Sequence, residues 1–315
     1  QNSLLDPQEL DKEKGVILEE IRMYEDSPDE LAHEALAENL LHPHPLGRGV
    51  LGTQSSVQSL RREDLLVYIA EHYVPSNLVI SVVGNIRHEE VVERISQQFL
   101  AFTGSPPTKQ PVPWPQGRGE SIKTKDTEQT HICLGVPGLS RKDQDRYVLN
   151  VLNTALGGGM SSRLFQSLRE EKGLVYSTYS YHSCYEDVGT VAVYAGTSPG
   201  NAALVIDLIK AECEKIVTTG LSQEELDRAK QQLQGGLLLS LENMASRMSR
   251  LAKAELYNEK LLTPEEVVAK IDAVSLSDIQ RVGERLFAHA PFSLAMVGPV
   301  RGPKATDLGI IETAG

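Results

Sequence analysis

The sequence ALGGGMSSRLFQSLREEKGLVYSTYS at residues 155–180 is the part of the chain that decides the predicted fold. Its three consecutive glycines, at residues 157–159, permit positive φ angles and the close approach of another segment. Ser161 or Ser162 predicts a helix start, because a serine hydroxyl accepts hydrogen bonds from the free amides of the first helical turn. Gly173 predicts the end of this helix, and the alternation that follows it predicts a strand.

The predicted helix and strand each carry one candidate functional side chain. Arg169 lies late on the helix and Tyr176 early on the strand, so the two could point into one space across the Gly173 turn. Arginine offers a fixed set of donors to carbonyl or carboxylate oxygens, and tyrosine offers a rigid hydroxyl. On spacing alone, the favoured alternative is a structural corner with a solvated arginine and a half-buried tyrosine.

The small residues of this stretch do not indicate a nucleotide site or a nucleophile. The glycines lack the GK[ST] ending of a phosphate loop and follow a predicted helix, not a strand. Ser161 and Ser162 have no local base and are interpreted as helix caps. Elsewhere, His33, His42, His44 and His72 match no metal-ligand spacing, so no second metal site is predicted.

Composition narrows the class of protein. The chain has 315 residues, 40% of them hydrophobic and 23% charged, which is typical of globular proteins and enough for two domains. The net charge of −12 argues against nucleic-acid binding, which needs a basic surface. The three cysteines share no C-x-x-C spacing, so we predict no disulfide framework and a reducing compartment. The chain has no apolar run of about 18 residues, so we predict no membrane span.

Hydrophobic periodicity and the positions of glycine and proline predict the remaining elements. Helices are predicted at residues 5–41 with a break at Ser27-Pro28, and at 59–73, 88–100, 143–156, 201–219, 222–257 with an interruption at Gly235-Gly236, 263–271 and 277–288. Further strands are predicted at residues 77–83, 130–136, 188–196 and 292–297. The proline content of residues 103–120 predicts a semi-extended linker.

Two pairs of segments indicate an internal repeat. LDPQELDKEK from Leu5 matches LSQEELDRAK from Leu221, and the segment starting at Asp64 matches the one starting at Asp278 at nearly the same offset. We therefore predict two related domains. They are residues 1–102 as the C-terminal part of the first domain, 103–120 as a proline-rich linker, and 121–315 as the second domain. By this period, the first domain would lack roughly its first hundred residues.

The first repeat copy keeps two carboxylates that the second copy lacks. Glu13 pairs with Ala229 in the repeat, and Glu20 pairs with Gly236. Two helical turns separate Glu13 from Glu20, so both lie on one face of the helix. A functional site present in only one of the two related domains would produce this difference between the repeat copies. On the pattern alone, an ordinary solvated face is the favoured alternative.

Four segments together resemble a known family. EKGVILEEIRMYEDSPDE, HPLGRGVLGT, NLVISVVGN and LGGGMSSRLFQSLREEKGLVYS resemble, in this order, the pitrilysin/insulinase (M16) family of zinc peptidases. The resemblance is greatest to its mitochondrial-processing-peptidase-like bacterial members, and the E-x6-E and R-x6-Y patterns are its specific parts. It implies an α+β fold of two related domains, each with a mainly antiparallel sheet and helices packed on one face. The first domain would be truncated.

The resemblance also implies residue roles. In the family, zinc is bound by the two histidines of an H-x-x-E-H motif and by the second glutamate of E-x6-E, which matches Glu20. Glu13 matches a catalytic outer carboxylate that orients the site. Arg169 and Tyr176 match the pair that binds the substrate backbone and helps to stabilise the oxyanion, so both are catalytic and substrate-binding candidates.

The chain departs from the family pattern because it contains no H-x-x-E-H. A catalytic zinc needs about three protein ligands. We therefore expect this chain to bind no zinc at the family site and to cleave no peptide, whereas the complete protein would do both. Gly157 and Gly158 are assigned to substrate binding with the R-x6-Y pair.

Two functions remain open. The resemblance implies a zinc endopeptidase that acts on peptides or unfolded polypeptides. It would pair as a homodimer, or as a heterodimer with an M16-like subunit, in the bacterial cytoplasm. The alternative is a non-catalytic M16-like subunit or scaffold protein. Retention of both glutamates with Arg169 and Tyr176 favours the peptidase.

Overall fold

The computed structural model describes residues 3–99, 103–108, 112–115, 117, 119–257, 259–288 and 291–299. The fold is α+β, which confirms the predicted class. The α-helices are α1 (Pro7–Asp26), α2 (Pro28–Leu41), α3 (Gln54–Ser59), α4 (Arg62–His72), α5 (His88–Phe99), α6 (Arg146–Gly157), α7 (Ala202–Thr218), α8 (Gln223–Ser240), α9 (Met244–Leu256), α10 (Pro264–Asp272) and α11 (Leu276–Gly283). None of the described helices is both long and apolar enough to cross a lipid bilayer.

The chain forms two compact units, and each unit draws on separate parts of the sequence. The first contains the described residues of Gln1–Ile21, Leu51–Pro111 and Gly236–Pro264. The second contains those of Arg22–Val50, Val112–Gly235 and Glu265–Gly315.

A five-stranded sheet in the order β1-β5-β2-β4-β3 forms the centre of the second unit. The strands are β1 (Glu120–Thr124), β2 (Thr130–Pro137), β3 (Val175–Cys184), β4 (Gly189–Thr197) and β5 (Ser293–Gly298). Strand β1 runs parallel to β5, and all other neighbouring pairs are antiparallel. The predicted mainly antiparallel sheet is therefore confirmed.

Burial explains why the sequence predicted four of these strands and missed β1. Strands β2, β4 and β5 are almost entirely buried, so their sequences are nearly continuous apolar runs. Strand β1 has the sequence ESIKT, lies at one edge of the sheet and is largely exposed. A polar edge strand lacks the apolar periodicity on which the prediction depends.

The helices of the predicted second domain pack on one face of this sheet, as expected. Their shared core consists mainly of aliphatic side chains with no solvent exposure, including Leu149 and Leu152 of α6, Ile206 and Ile209 of α7, and Ile279 and Val282 of α11. Each helix has the amphipathic spacing from which it was predicted. This layer fixes where the end of α6 lies relative to the sheet.

Helix α2 covers the opposite face of the sheet. Its residues Ala32, Leu36 and Leu40 are buried in a second apolar cluster with Cys133 and other residues of the central strands. The helix fits closely over Gly135 of β2, where an added Cβ would lie 3.0 Å from Leu40 and 3.1 Å from Leu36. Helix α2 was predicted as a helix, but its apolar pattern did not indicate which sheet it would cover.

The predicted strand at residues 77–83 is wrong. Pro75–Asn77 form a single 3₁₀ turn, and residues 78–83 join no β-ladder. Their apolar side chains are partly exposed, with Ile80 at 45% and Val82 at 46%. A strand needs a neighbour for its backbone hydrogen bonds, and the described residues of the first unit supply none.

The predicted interruption at Gly235-Gly236 is also wrong. Helix α8 continues through both glycines, and the break falls after Ser240. Helix α9 then starts where the Asn243 side chain accepts hydrogen bonds from the amides of Ala245 and Ser246. A glycine costs a helix only about 1 kcal/mol, so the asparagine cap marks the boundary better than the glycines do.

The paired repeat segments have similar local structure. Helices α1 and α8 start at corresponding positions, Pro7 and Gln223. Asp64 and Asp278 each occupy the third position of their helices, and each accepts a hydrogen bond from the amide that precedes the first turn. Both segments therefore share the aspartate contact at equivalent places, and only the second adds a side-chain cap, from Ser275.

Candidate functional site

The glycine stretch begins where α6 touches β3. Gly157 is the last residue of α6, and an added Cβ would lie only 2.3 Å from the amide nitrogen of Ser180. On the same turn, the side-chain amide of Asn153 donates to the Ser180 carbonyl, and the Ser180 hydroxyl donates to the Asn153 carbonyl. The predicted close approach therefore occurs, and it ties the helix to the strand.

The remaining glycines have different surroundings. Gly158 donates its backbone N–H to Thr154 and accepts a hydrogen bond from the Gln232 side chain of α8, at 2.8 Å. Gly173 has φ +60, which confirms that it ends the helix in a left-handed conformation. Gly158 is exposed, so its surface is accessible to another molecule.

The helix that contains Arg169 does not start with a serine cap. The buried Ser162 donates its hydroxyl to the Gly159 carbonyl at 2.5 Å, so its side chain closes the glycine turn and does not accept from helix amides. The helix itself is π-helical over Phe165–Glu171. A π-helix is wider than an α-helix and is often found at functional sites. The sequence predicted a helix here but could not predict its pitch.

The predicted pair lies on two consecutive elements. Arg169 is on the π-helix, exposed, with its guanidinium carbon 5.0 Å from the centre of the Phe165 ring. Tyr176 is the second residue of β3, where the pairing with β4 shifts register as in a β-bulge, and it is 62% exposed. Among the described residues, Arg169 forms no ion pair and the Tyr176 hydroxyl has no hydrogen-bond partner.

A second arginine of the stretch behaves differently. Arg163 donates two hydrogen bonds to the Glu225 carboxylate, at 2.6 and 2.9 Å, and one to the Gly220 carbonyl at 2.7 Å. Both side chains are mostly buried, at 15% and 20% exposure. This hydrogen bonding by Arg163 is the largest reason that the pKa of Glu225 falls to about 2. Arg163 is not among the candidate site residues predicted from the sequence.

A cleft of about 400 Å³ lies between the π-helix and α7. Its lining includes Arg163, Lys172 and Lys215 together with Glu212. Neither Arg169 nor Tyr176 lines it. Of the predicted substrate-binding residues, Arg169, Tyr176 and Gly158 are therefore exposed outside this cleft, whereas Gly157 is buried against Ser180.

The predicted metal-site residues lie on α1. Glu13 and Glu20 are both exposed and belong to the first unit, whereas Arg169 and Tyr176 belong to the second. Within the described ranges, no group of three or more His, Cys, Asp or Glu side chains could hold a metal ion. The described residues therefore do not by themselves fit the zinc that the family implies, and Glu20 could supply only one ligand.

A histidine–tyrosine cluster was not predicted from the sequence. His33 of α2 lies 2.7 Å from the Tyr181 hydroxyl through Nδ1 and 3.0 Å from the Tyr179 hydroxyl through Nε2. Next to it, Tyr194 stacks on both His33 and Tyr179, and its hydroxyl lies 2.8 Å from His131 Nδ1. The alternation of Tyr179 and Tyr181 was the only sequence signal, because the other members come from different elements.

Burial sets the ionisation of this cluster. It lowers the pKa of His33 below its ordinary value of 6.5, and the carboxylates of Glu30 and Asp29 only partly oppose this. It also lowers the pKa of His131, and it raises the pKa of Tyr194 to about 12. The cluster is therefore neutral near pH 7, and it joins α2 to the sheet by hydrogen bonds between uncharged groups.

Replacing Gly157 by alanine should show whether the close contact with Ser180 outweighs the higher helix propensity of alanine. Gly157→Ala places a methyl group against the Ser180 backbone, and we expect a loss of about 1–3 kcal/mol in the free energy of unfolding. The matched control is Gly235→Ala in α8, where nothing lies within 4 Å of the new Cβ. That change should stabilise by up to ~1 kcal/mol. Urea denaturation measures both; equal effects would contradict the close contact at Gly157.

We expect low pH to weaken the packing of α2 on the sheet, because it protonates His33. Because the folded chain holds this pKa below 6.5, the stabilisation is complete above pH 6.5 and is lost as the pH falls below it. We expect the melting temperature of the wild type to fall between about pH 7.5 and about pH 5.5, and His33→Gln to reduce this fall. The exposed His88, changed to Gln, is the control. An unchanged pH dependence in His33→Gln would refute this role.

Comparison with known proteins assigns the family. Residues 59–233 match the family model described as the peptidase M16 inactive domain. An uncharacterized zinc protease of Streptomyces coelicolor is 38% identical over 318 residues, which cover 97% of this chain and 68% of that protein. The crystal structure of a peptidase M16 inactive domain from Pseudomonas fluorescens has a TM-score of 0.86 at 22% identity, over 95% of this chain and 72% of that one.

A chain of complex III2 from Candida albicans has the same fold, with a TM-score of 0.84 at 21% identity over 95% of this chain and 74% of that chain. The family match covers more than half of the chain, and the match to the Streptomyces protein covers nearly all of it at over 30% identity. The chain therefore belongs to the M16 family of zinc peptidases and contains the domain described as its inactive domain.

Proposed function

We propose that this chain carries the substrate-holding part of an M16 zinc endopeptidase that acts on peptides or unfolded polypeptides. The observation that supports this proposal is the state of Arg169 and Tyr176. Both side chains are exposed, and neither has a hydrogen-bonding partner among the described residues. They lie on two elements joined by a short turn at Gly173. Donors held in this way are available to an incoming peptide.

The chemistry of the pair suits a peptide backbone. The Arg169 guanidinium carbon lies over the Phe165 ring, 5.0 Å from its centre, and this contact leaves the N–H groups free to donate. The Tyr176 hydroxyl can donate to a second carbonyl. The same donors would favour a carbonyl oxygen that gains negative charge during hydrolysis.

The carboxylates of α1 are assigned a supporting role in the complete enzyme. In this proposal, Glu20 provides one ligand of a zinc site and Glu13, two turns away on the same face, orients it. The described residues do not complete such a site, and the sequence has no H-x-x-E-H. We therefore assign peptide binding, and not cleavage, to the 315-residue chain.

A non-catalytic role is the second candidate. The matching family model is described as an inactive domain, and a chain of complex III2 from Candida albicans shares the fold. As a scaffold, the chain would pair with an M16-like subunit and would have no need of free donors at Arg169 and Tyr176. Peptide binding through these two residues therefore distinguishes the candidates.

Peptide binding provides the main test. The 315-residue chain is titrated into a fluorescein-labelled, unstructured peptide rich in Lys and Arg, and anisotropy gives the dissociation constant. We expect Arg169→Ala to weaken binding about tenfold, since it removes charge-assisted hydrogen bonds, and Tyr176→Phe to weaken it several-fold.

The control for this test removes a different exposed arginine. Arg228→Ala on α8 changes the net charge equally but breaks only an ion pair with Glu224 within that helix. It should leave peptide binding within about twofold of the wild type. If Arg169→Ala and Arg228→Ala behave alike, the pair does not hold peptide and the scaffold role is favoured.

Zinc content tests the assignment of Glu20. After incubation with zinc and gel filtration, we expect the chain to retain far less than one zinc per molecule, with no difference in Glu20→Gln, because one carboxylate cannot hold the ion. Elemental analysis measures this directly. Stoichiometric zinc that disappears in Glu20→Gln would show that the chain builds its own metal site.

A further inference from the structure

We propose that Arg163 is a positioning residue, which sets the place of Arg169 through its hydrogen bonds to Glu225 and Gly220. This inference rests on the proposed function, because it assumes that Arg169 binds peptide. It concerns a contact that joins the glycine stretch to the corner between α7 and α8. Its support comes from three features of the second unit.

The first feature is the conformational freedom that the three glycines would give to the segment if Arg163 made no contacts. Residues 158–162 connect α6 to the helical segment that contains Arg163 and Arg169. Glycines lose more conformational entropy on ordering than any other residue. Within the turn, Gln232 binds Gly158 and Ser162 binds Gly159, and side chains beyond the glycines add to these contacts. Arg163 is the first residue after the turn to do so.

The second feature is the strength and geometry of the clamp. The Arg163 guanidinium binds both oxygens of Glu225 in a bidentate arrangement and also reaches the Gly220 carbonyl. Such pairs fix orientation as well as distance. The pKa of Glu225, lowered to about 2, keeps its carboxylate charged throughout the physiological range.

The third feature is that the receiving side is itself rigid. Glu225 accepts from the Ser222 amide at 2.7 Å, and the Ser222 hydroxyl accepts from the Glu225 amide, which forms a capping box at the start of α8. Gly220 ends α7 with φ +69 and donates its own amide to α7 carbonyls. Arg163 thus ties the start of this helical segment to the end of α7 and to the start of α8.

Arg169 lies six residues after Arg163 along the same helical segment. Its carbonyl accepts from the Gly173 amide, and the Leu174 amide donates to Leu168. The helix is therefore fixed at its far end by backbone bonds and at its near end by the Arg163 clamp together with Leu164, which is fully buried in the core. Leu164 gives depth but not a fixed direction to this end, so loss of the clamp would let the helix rotate slightly about its buried side and would shift the Arg169 guanidinium.

The test replaces Arg163 by Lys, which keeps the charge but loses the two-pronged geometry. Arg281→Lys is the matched control, because Arg281 binds Asp145 in the same bidentate manner, at 2.6 and 2.8 Å, at the opposite end of α6 from the glycines. We expect Arg163→Lys to weaken binding of the fluorescein-labelled Lys/Arg-rich peptide about tenfold. We expect Arg281→Lys to leave peptide binding within about twofold, whatever it does to thermal stability.

Coupling to Arg169 distinguishes positioning from a general structural effect. In the Arg169→Ala background, Arg163→Lys should cause no further loss of affinity, because the group that it positions is gone. Equal losses in both backgrounds would overturn the proposal while leaving the role of Arg169 intact. If Arg169→Ala itself has no effect on binding, the proposed function fails, and that result is separate. Melting curves of all variants confirm that the measurements are made on folded protein.

Discussion

The contact between Gly157 and Ser180 is the constraint from which the candidate site is built. The last turn of α6 meets β3 at a point where no side chain fits, and Asn153 adds two hydrogen bonds to the same serine. The chain then leaves the sheet, forms the glycine turn and the π-helix, and returns to β3 at Val175. Both ends of this excursion are thus attached to one strand, so the elements between them have little freedom in placement.

The local sequence predicted most elements of the second unit but not which of them pack against each other. The glycines indicated that another segment would come close, although nothing in them identified Ser180 as that segment. Helix α2 was predicted from its periodicity, yet its place over Gly135 depends on a fit between leucines and a glycine far away in the sequence. The strand predicted at residues 77–83 failed for a related reason. Strand propensity is local, whereas the hydrogen-bonding neighbour that makes a strand is not.

The same division holds for the candidate site. Arg169 and Tyr176 could be predicted as candidates because they belong to one short pattern that resembles a family motif. The cluster around His33 could not, since its members come from α2, β2, β3 and β4. Glu225 is 62 residues from Arg163 in sequence, so no spacing rule would have paired them. A π-helix likewise has no sequence signature separate from that of an ordinary helix.

The two arginines of the stretch have different surroundings, and in the proposed function the first serves structure and the second binding. Arg163 is mostly buried and uses its donors on a carboxylate and a carbonyl within the protein. Arg169 is exposed and rests against Phe165, with no described carboxylate bound to it. In a chain with net charge −12, an exposed arginine that remains without an acidic partner keeps its donors for another molecule. Because both arginines lie on one short helical segment, we propose that the contacts of the first help to determine where the second can act.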